Sequence, residues 1–230
     1  MDNLLPLLQK CILFKNKTPA EIEQLLSKTN YRIDSFKENE IVFSPLQTAD
    51  KTGIILSGTV DVQKLFPAGK VVIIERKKSP DLIGGSSIFS RLEHYPDTVF
   101  ASKPCEILFL LKSELLALFA LDKDFMSNFL ESVSNSTLIL KHKIGILSLD
   151  SIQEKIAGFL IHNTKHDNKA NDSNPVTLPF SKKAWAEYMN VSRTSLSREL
   201  RILEREGIIS FEKRKIEIRN WDSLVKILSL

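Results

Sequence analysis

The spacing of apolar residues changes several times along the chain, and the changes divide it into segments. Leu4, Leu7, Leu8 and Cys11 or Ile12 share one helical face. Thr18-Pro19 predicts a second helix through Glu21 to Leu26, with proline at its first position. Neither helix carries candidate chemistry. From residue 31 to 112 the period becomes that of strands. Ile41-Val42-Phe43, Gly53-Ile54-Ile55-Leu56, Thr59-Val60-Asp61-Val62, Lys70-Val71-Val72-Ile73-Ile74 and Ile107-Leu108-Phe109-Leu110 are short β-type runs. Ser57-Gly58, Pro67-Ala68-Gly69 and Ser79-Pro80-Asp81 are the expected turns between them. Such spacing predicts a small antiparallel barrel or sandwich.

Residues 113–147 return to a helical period. Met126, Leu130, Val133, Thr137, Leu140, Ile144 and Leu147 are spaced 4, 3, 4, 3, 4, 3, an a/d seam over three heptads. A core helix can show the same stripe, but sustained 3.5 periodicity predicts a helix pair. Ser148 to Ser151 reads as a hinge whose Asp150 or Ser151 caps an amphipathic helix from Ile152 to Ile161. Residues 163–177 form a polar loop. Ser181 caps a short helix through Trp185, Ala186 and Met189, and Asn190 sits at a break that suits a left-handed backbone. Ser192 caps a further helix from Arg193 to about Glu206, ended by Gly207. Ile208-Ile209-Ser210 and Ile216-Glu217-Ile218, joined by Glu212 to Lys215, predict a two-stranded wing carrying Lys213, Arg214 and Lys215. Trp221 to Leu228 is apolar at helical spacing and is expected to pack back on this domain.

In the helix after Ser192, Leu196, Leu200 and Leu203 form one apolar stripe. Thr194, Ser197, Arg198 and Arg201 project from the other side, with Arg193 flanking them. Small hydroxyls let such a helix approach a major groove closely, and an arginine can donate two bonds to guanine O6 and N7. The alternative is an amphipathic helix with a solvated basic face. The preceding helix, the Asn190-Val191-Ser192 turn and the basic wing favour the groove.

The run VSRTSLSRELRILEREGII resembles the winged helix-turn-helix of the cyclic-AMP receptor protein/FNR family of bacterial transcription regulators. The resemblance spans roughly residues 10–225 and is strongest at 181–210. It implies an α+β protein: a jelly-roll-type β-roll with N-terminal helices over 1–120, a dimerisation helix and hinge over 121–149, and a winged helix-turn-helix over 150–230. It implies a homodimer on an inverted-repeat site in double-stranded DNA. Base-reading candidates are Thr194, Ser195, Ser197 and Arg198. The Ser197-Arg198 pair resembles the FNR branch, whereas Thr194 stands where that branch usually has glutamate. Phosphate candidates are Lys182, Lys183, Ser192, Arg193, Arg201 and Lys213. The loop 163–177 corresponds to one that can touch RNA polymerase; its plain alternative is a solvated connection.

The same resemblance covers the strand region. Ile55 to Val60 matches the "hydrophobic, Ser-Gly, Val" turn of a cyclic-nucleotide-binding domain, and Asp81-Leu82-Ile83-Gly84 matches the entry to its phosphate cassette. This chain then departs from the pattern. Gly85 replaces the glutamate that holds the ribose, and Tyr95-Pro96 replaces the Arg-Ser that holds the cyclic phosphate. A buried phosphate needs a charge-assisted partner, and Arg91 is a poor substitute, so cyclic AMP is disfavoured. Gly84, Gly85, Ser86 and Ser87 form either an anion-binding nest or a tight turn without a ligand. Tyr95, Asp97, Thr98, Thr137, Leu140 and Lys141 complete the candidate pocket for another small effector. Alternatively Thr137 serves only the register of the seam. A constitutive regulator without effector, or a nucleotide-binding module without DNA function, are the competing readings.

Composition narrows this further. The chain of 230 residues is 43% hydrophobic and 26% charged, which fits a soluble globular protein of one or two domains. No apolar run reaches membrane-spanning length and the N-terminus lacks a signal-peptide pattern, so a cytoplasmic location is expected. The net charge of +4 has a location: residues 1–150 hold 18 basic and 18 acidic side chains, residues 151–230 hold 14 and 10. The excess sits with the helix-turn-helix, as DNA binding requires. Two cysteines, Cys11 and Cys105, cannot ligate a four-cysteine iron–sulfur cluster within one chain. Cys105 reads as a core thiol, Cys11 as exposed with a redox role open. Cys11 or His94 could be proposed as a haem ligand, but nothing specific supports either. His162 and His166 are four apart, yet the helix is ending there, which disfavours metal. No Walker loop, metal cluster or nucleophile with histidine and acid is present, so no enzyme is expected.

Overall fold

Two long strands organise the first half of the chain. The computed structural model describes residues 4–66, 71–164, 176–177, 181–212 and 215–229. They divide into two compact units, Met1–Ser136 and Thr137–Leu230.

In the first unit, helices α1 (Leu4–Leu8) and α2 (Pro19–Leu26) precede the sheet. Thr18 caps α2 in a reciprocal box with Glu21, satisfying two orphan amides. The strands are β1 (Arg32–Phe36), β2 (Ile41–Phe43), β3 (Lys51–Leu65), β4 (Val71–Lys78), β5 (Leu82–Ile83) and β6 (Thr98–Leu111). β3 and β6 pair antiparallel from Lys51↔Leu111 to Gln63↔Thr98. β1 joins β6 at Cys105 to Phe109, whereas β2 joins it at Val99 and Phe100. On β3, β5 pairs at Gly53 and Ile54, and β4 from Thr59 onward. Each long strand therefore serves different neighbours at its two ends, the signature of a sheet rolled on itself.

Here one expectation is corrected. The runs 53–56 and 59–62 are not two strands separated by a turn; both lie within β3. Ser57-Gly58 is a bulge, with register shifts against β6 on either side. Gly58 has φ +81, and a Cβ there would meet the Pro104 carbonyl oxygen at 2.1 Å. Only glycine fits this bend. The Pro67-Ala68-Gly69 turn lies outside the described residues.

Period two then separates two cores. Ile54 packs with Leu8, Ile22, Leu25, Leu115, Leu118 and Phe125, between the sheet and the helices. Its neighbour Ile55 packs inside the roll with Phe43, Val60, Tyr95, Ile107 and Phe109. Helix α3 (Lys112–Leu121) ends at Asp122, whose carboxylate accepts from the Phe125 amide at 2.7 Å and from Lys17 Nζ at 2.6 Å. Helix α4 (Lys123–Leu147) begins there. Phe125 and Phe129 are buried in the first unit, while Met126 and Leu130 are exposed. Val133, expected on the seam, packs partly against that core.

In the second unit, α5 (Ile152–Asn163) starts at Ser151, which forms a capping box with Glu154. Strand β7 (Val176–Thr177) joins a three-stranded sheet in the order β7-β9-β8, with β8 (Ile209–Glu212) and β9 (Lys215–Ile218). Helices α6 (Lys182–Tyr188), α7 (Arg193–Arg205) and α8 (Trp221–Lys226) complete it. Trp185 is fully buried among Ile156, Phe159, Leu160, Leu196, Leu200, Leu203, Ile209, Ile216 and Leu224. The last turn of α4 sends Ile146 into this core and leaves Leu140, Ile144 and Leu147 exposed. Leu138 and Ile139, away from the heptad seam, are exposed too. No described helix is long and apolar enough to cross a membrane.

Candidate nucleic-acid interface

The approach of α6 to α7 is set by three local devices. Ser181 accepts from the Ala184 amide at 3.3 Å and Ser192 from the Ser195 amide at 2.9 Å, each closing a helix start. Between them Asn190 takes φ 54, and the Val191 amide donates back to the Ala186 carbonyl at 2.9 Å. This reverses the chain within a few residues. Leu196, Leu200 and Leu203 are buried, so the rest of α7 must face outward.

That outward face carries Arg193, Thr194, Ser197, Arg198, Arg201 and Arg205 around one shallow groove. The sequence singles out five of these. It does not single out Arg205, although this residue lies one turn beyond Arg201 on the same face and the i, i+4 spacing would have found it. Ser195 is drawn aside: its hydroxyl accepts from Ser192 Oγ at 2.8 Å, and it joins the cap rather than the groove lining. Ser192 Oγ also lies 2.8 Å from Thr194 Oγ1.

The phosphate candidates separate into different environments. Lys182 Nζ sits 3.7 Å from the centroid of the Phe211 ring on β8, a cation–π contact between helix and wing. Its pKa is lowered first by burial and then by nearby Arg201 and Arg193, only partly offset by Glu204. Like charges gathered this way are relieved by a polyanion. Lys183 is exposed and pairs loosely with Glu187 at 4.0 Å. Lys213 lies outside the described residues, as do His166 and most of the loop 163–177. Among the described residues no group of three His, Cys, Asp or Glu side chains could hold a metal ion.

The candidate effector residues of the first unit look different. The amides of Ser87 and Ile88 both donate to the Gly84 carbonyl, at 3.1 and 3.2 Å, so the glycine pair closes as a turn. Gly85 is buried, and a Cβ on it would lie 2.6 Å from Leu82 Cδ2. Tyr95 belongs to the core. Its ring stacks on Phe43 at 4.2 Å, and its hydroxyl donates to the Lys51 carbonyl at 2.6 Å. Burial pushes that hydroxyl up to about 12. Ser86 is exposed, Ser87 buried, and Thr98 half-buried at the start of β6. Asp97 Oδ1 lies 3.5 Å from Lys64 Nζ. Thr137, Leu140 and Lys141 fall in the second unit, where all three are exposed.

Cys11 requires a correction. It is 1% exposed in the helical core, not at the surface, and burial pushes its thiol up to about 11. A thiol with so little thiolate is a poor redox centre. Cys105 is buried as expected.

Two family models match the chain: the cyclic nucleotide-binding domain over residues 33–122, and the Crp-like helix-turn-helix domain over residues 154–227. The cAMP-activated global transcriptional regulator CRP of Salmonella typhimurium is 20% identical over 207 residues, covering 90% of this chain and 98% of the relative. The nitrogen fixation regulation protein FixK of Azorhizobium caulinodans is 24% identical over 196 residues, covering 84% of this chain and 77% of the relative. Among solved structures, CprK complexed with OCPA aligns with a TM-score of 0.65 at 17% identity, covering 88% of this chain and 92% of that one, a likeness of fold. With both domains in one chain and a basic, capped α7 displayed outward, the protein belongs to the Crp/Fnr family of DNA-binding transcription regulators.

Proposed function

We propose that the protein is a homodimeric regulator that reads an inverted-repeat DNA site with α7 and answers to a small effector other than cyclic AMP. The observation that carries the reading is the single face of α7, where four arginines stand beside Thr194 and Ser197. Thr194, Ser197 and Arg198 supply base contacts, with Ser195 holding the helix start. Arg193, Arg201, Arg205 and Lys182 supply phosphate contacts.

The exposed apolar residues of α4 support the dimer. Met126, Leu130, Leu140, Ile144 and Leu147 would be covered by the same helix of a second copy. A two-fold dimer presents its reading helices about 34–36 Å apart, which predicts the inverted repeat.

The residues present do not fit the phosphate and ribose of a cyclic nucleotide. Gly85 offers no acid and Leu82 occupies the space beside it, while the Tyr95 hydroxyl is already bonded to backbone. An effector of different chemistry would act by binding one of two states of the dimer more tightly.

Selection of bound sequences from a random DNA pool with effector-free protein tests the reading. A palindrome supports dimeric recognition, and a slope of log affinity against log salt near about −0.9 per phosphate contact counts the cationic partners. No enrichment from a folded dimer, with or without cell extract, would overturn it.

A further inference from the structure

We infer that Glu199 is a positioning residue that sets the guanidinium of Arg198 for base reading. This rests on Arg198 being a base reader.

Adjacent residues on a helix point apart and do not ordinarily meet. Here they do. Glu199 Oε1 accepts from Arg198 Nε at 3.0 Å and also lies 3.0 Å from Nη2. The other carboxylate oxygen accepts from Gln153 Nε2 on α5, also at 3.0 Å. The Glu199 side chain is 13% exposed and that of Arg198 is 71% exposed. The acid is thus anchored from behind by a second helix, and the arginine is displayed in front of it.

A guanidinium has five N–H donors in a rigid fork. Glu199 takes the Nε–H and sits at the Nη2 side of the fork. The end of the fork, formed by Nη1 and Nη2, keeps the donors that a guanine O6/N7 pair requires. Holding a long, rotamer-rich side chain in one orientation before binding removes an ordering cost from the complex. For fold stability the gain is small, because a pair with one exposed partner is weak. For DNA affinity in general an acid paired with a reading-face arginine is unfavourable, since it offsets charge that would otherwise meet phosphates. A residue that costs non-specific affinity and contributes little stability is best explained by discrimination.

The test uses the full-length protein and its preferred duplex, with the three alternative base pairs at the position whose preference R198A abolishes. Glu199→Ala is expected to reduce discrimination at that base pair about tenfold. Binding to random-sequence DNA should hold or strengthen, and the melting temperature should hardly move. Glu199→Gln keeps an acceptor for Arg198 and should retain most of the discrimination. Gln153→Ala frees the anchor and should lose part of it at the same base pair. If E199A does not fold, the E199Q and Q153A duplex comparisons carry the test. Equal losses on every duplex together with a lower melting temperature would make Glu199 a staple between α5 and α7, and discrimination unchanged in all variants would make it inert. Either result overturns the inference. If R198A relaxes no position at all, it is the base-reading role of Arg198 that falls, and the inference falls with it.

Discussion

The two units keep their candidate binding residues under opposite conditions. In the second unit the apolar stripe of α7 is fully absorbed by the core around Trp185. Its polar face, with Thr194, Arg198, Arg201 and Arg205, stands outside that packing. In the first unit Gly85, Ser87 and Tyr95, three of the candidate pocket residues, are buried. Tyr95 stacks on Phe43, and Leu82 fills the space that a side chain at Gly85 would need. A binding residue on a displayed helix face can change its chemistry at little cost to the fold. One that sits in a packed roll changes the packing when it changes chemistry. In this chain the candidate DNA contacts on α7 are of the first kind, and the candidate effector positions Gly85 and Tyr95 are of the second.

The largest test of the contrast is Trp185→Ala. Removing a fully buried indole should cost about 3–5 kcal/mol and lower the melting temperature of the second unit by many degrees. Trp185→Phe should cost less, because the indole Nε1 has no hydrogen-bond partner among the described residues. Thermal melts of both variants check this, and near-equal losses would contradict it.

Gly85→Glu comes next. If only the family's acid were lacking, supplying it would confer nucleotide binding. We expect instead no heat on titration with cyclic AMP and a loss of about 1–3 kcal/mol from overpacking against Leu82. Measurable binding by the variant would show that the cassette remains open.

Arg198→Ala should cost about 1–3 kcal/mol on the preferred duplex and relax one base pair. Arg205→Ala should weaken all duplexes alike and flatten the salt slope by about one phosphate contact. Competition binding across single-base variants separates the two, and sequence-blind loss from both would remove Arg198 from the reading role.

Ser192→Ala deletes the α7 cap and should cost about 1 kcal/mol by chemical denaturation. The smallest effect concerns His142, whose ring stacks on His162 with centroids 3.4 Å apart. Burial, with His162 next, lowers its pKa. The neutral form is therefore favoured in the folded protein. Below about pH 6.5 the unfolded chain binds more protons, so this contribution is present above that pH and is lost as pH falls. His142→Gln should make the melting temperature less sensitive to acid between about pH 7 and about pH 5.5. An unchanged pH profile would dismiss the pair.

Much of this molecule is legible in local signals. The caps at Thr18, Ser151, Ser181 and Ser192 follow from side-chain oxygens that satisfy amides three residues on, a rule that needs no tertiary context. The stripe of Leu196, Leu200 and Leu203, the left-handed Asn190 and the stop at Gly207 are equally local. So the helix-turn-helix, its outward face and the charge that serves it are determined by sequence alone. The strand region is less legible. Ser57-Gly58 carries a turn signature, yet long-range pairing with β6 holds the chain extended through it and turns the signal into a bulge. Cys11 follows a short helix and reads as exposed, but packing of α1 and α2 on the sheet buries it. Val133 has the seam's period and still leans into a core. The contact of Glu199 with Gln153 joins residues on two helices, so no local pattern announces it. Period and capping arise from neighbours a few residues apart, and the sequence holds them complete. Burial, bulges and the partner of a charge depend on which distant segments meet, and only the tertiary structure decides that.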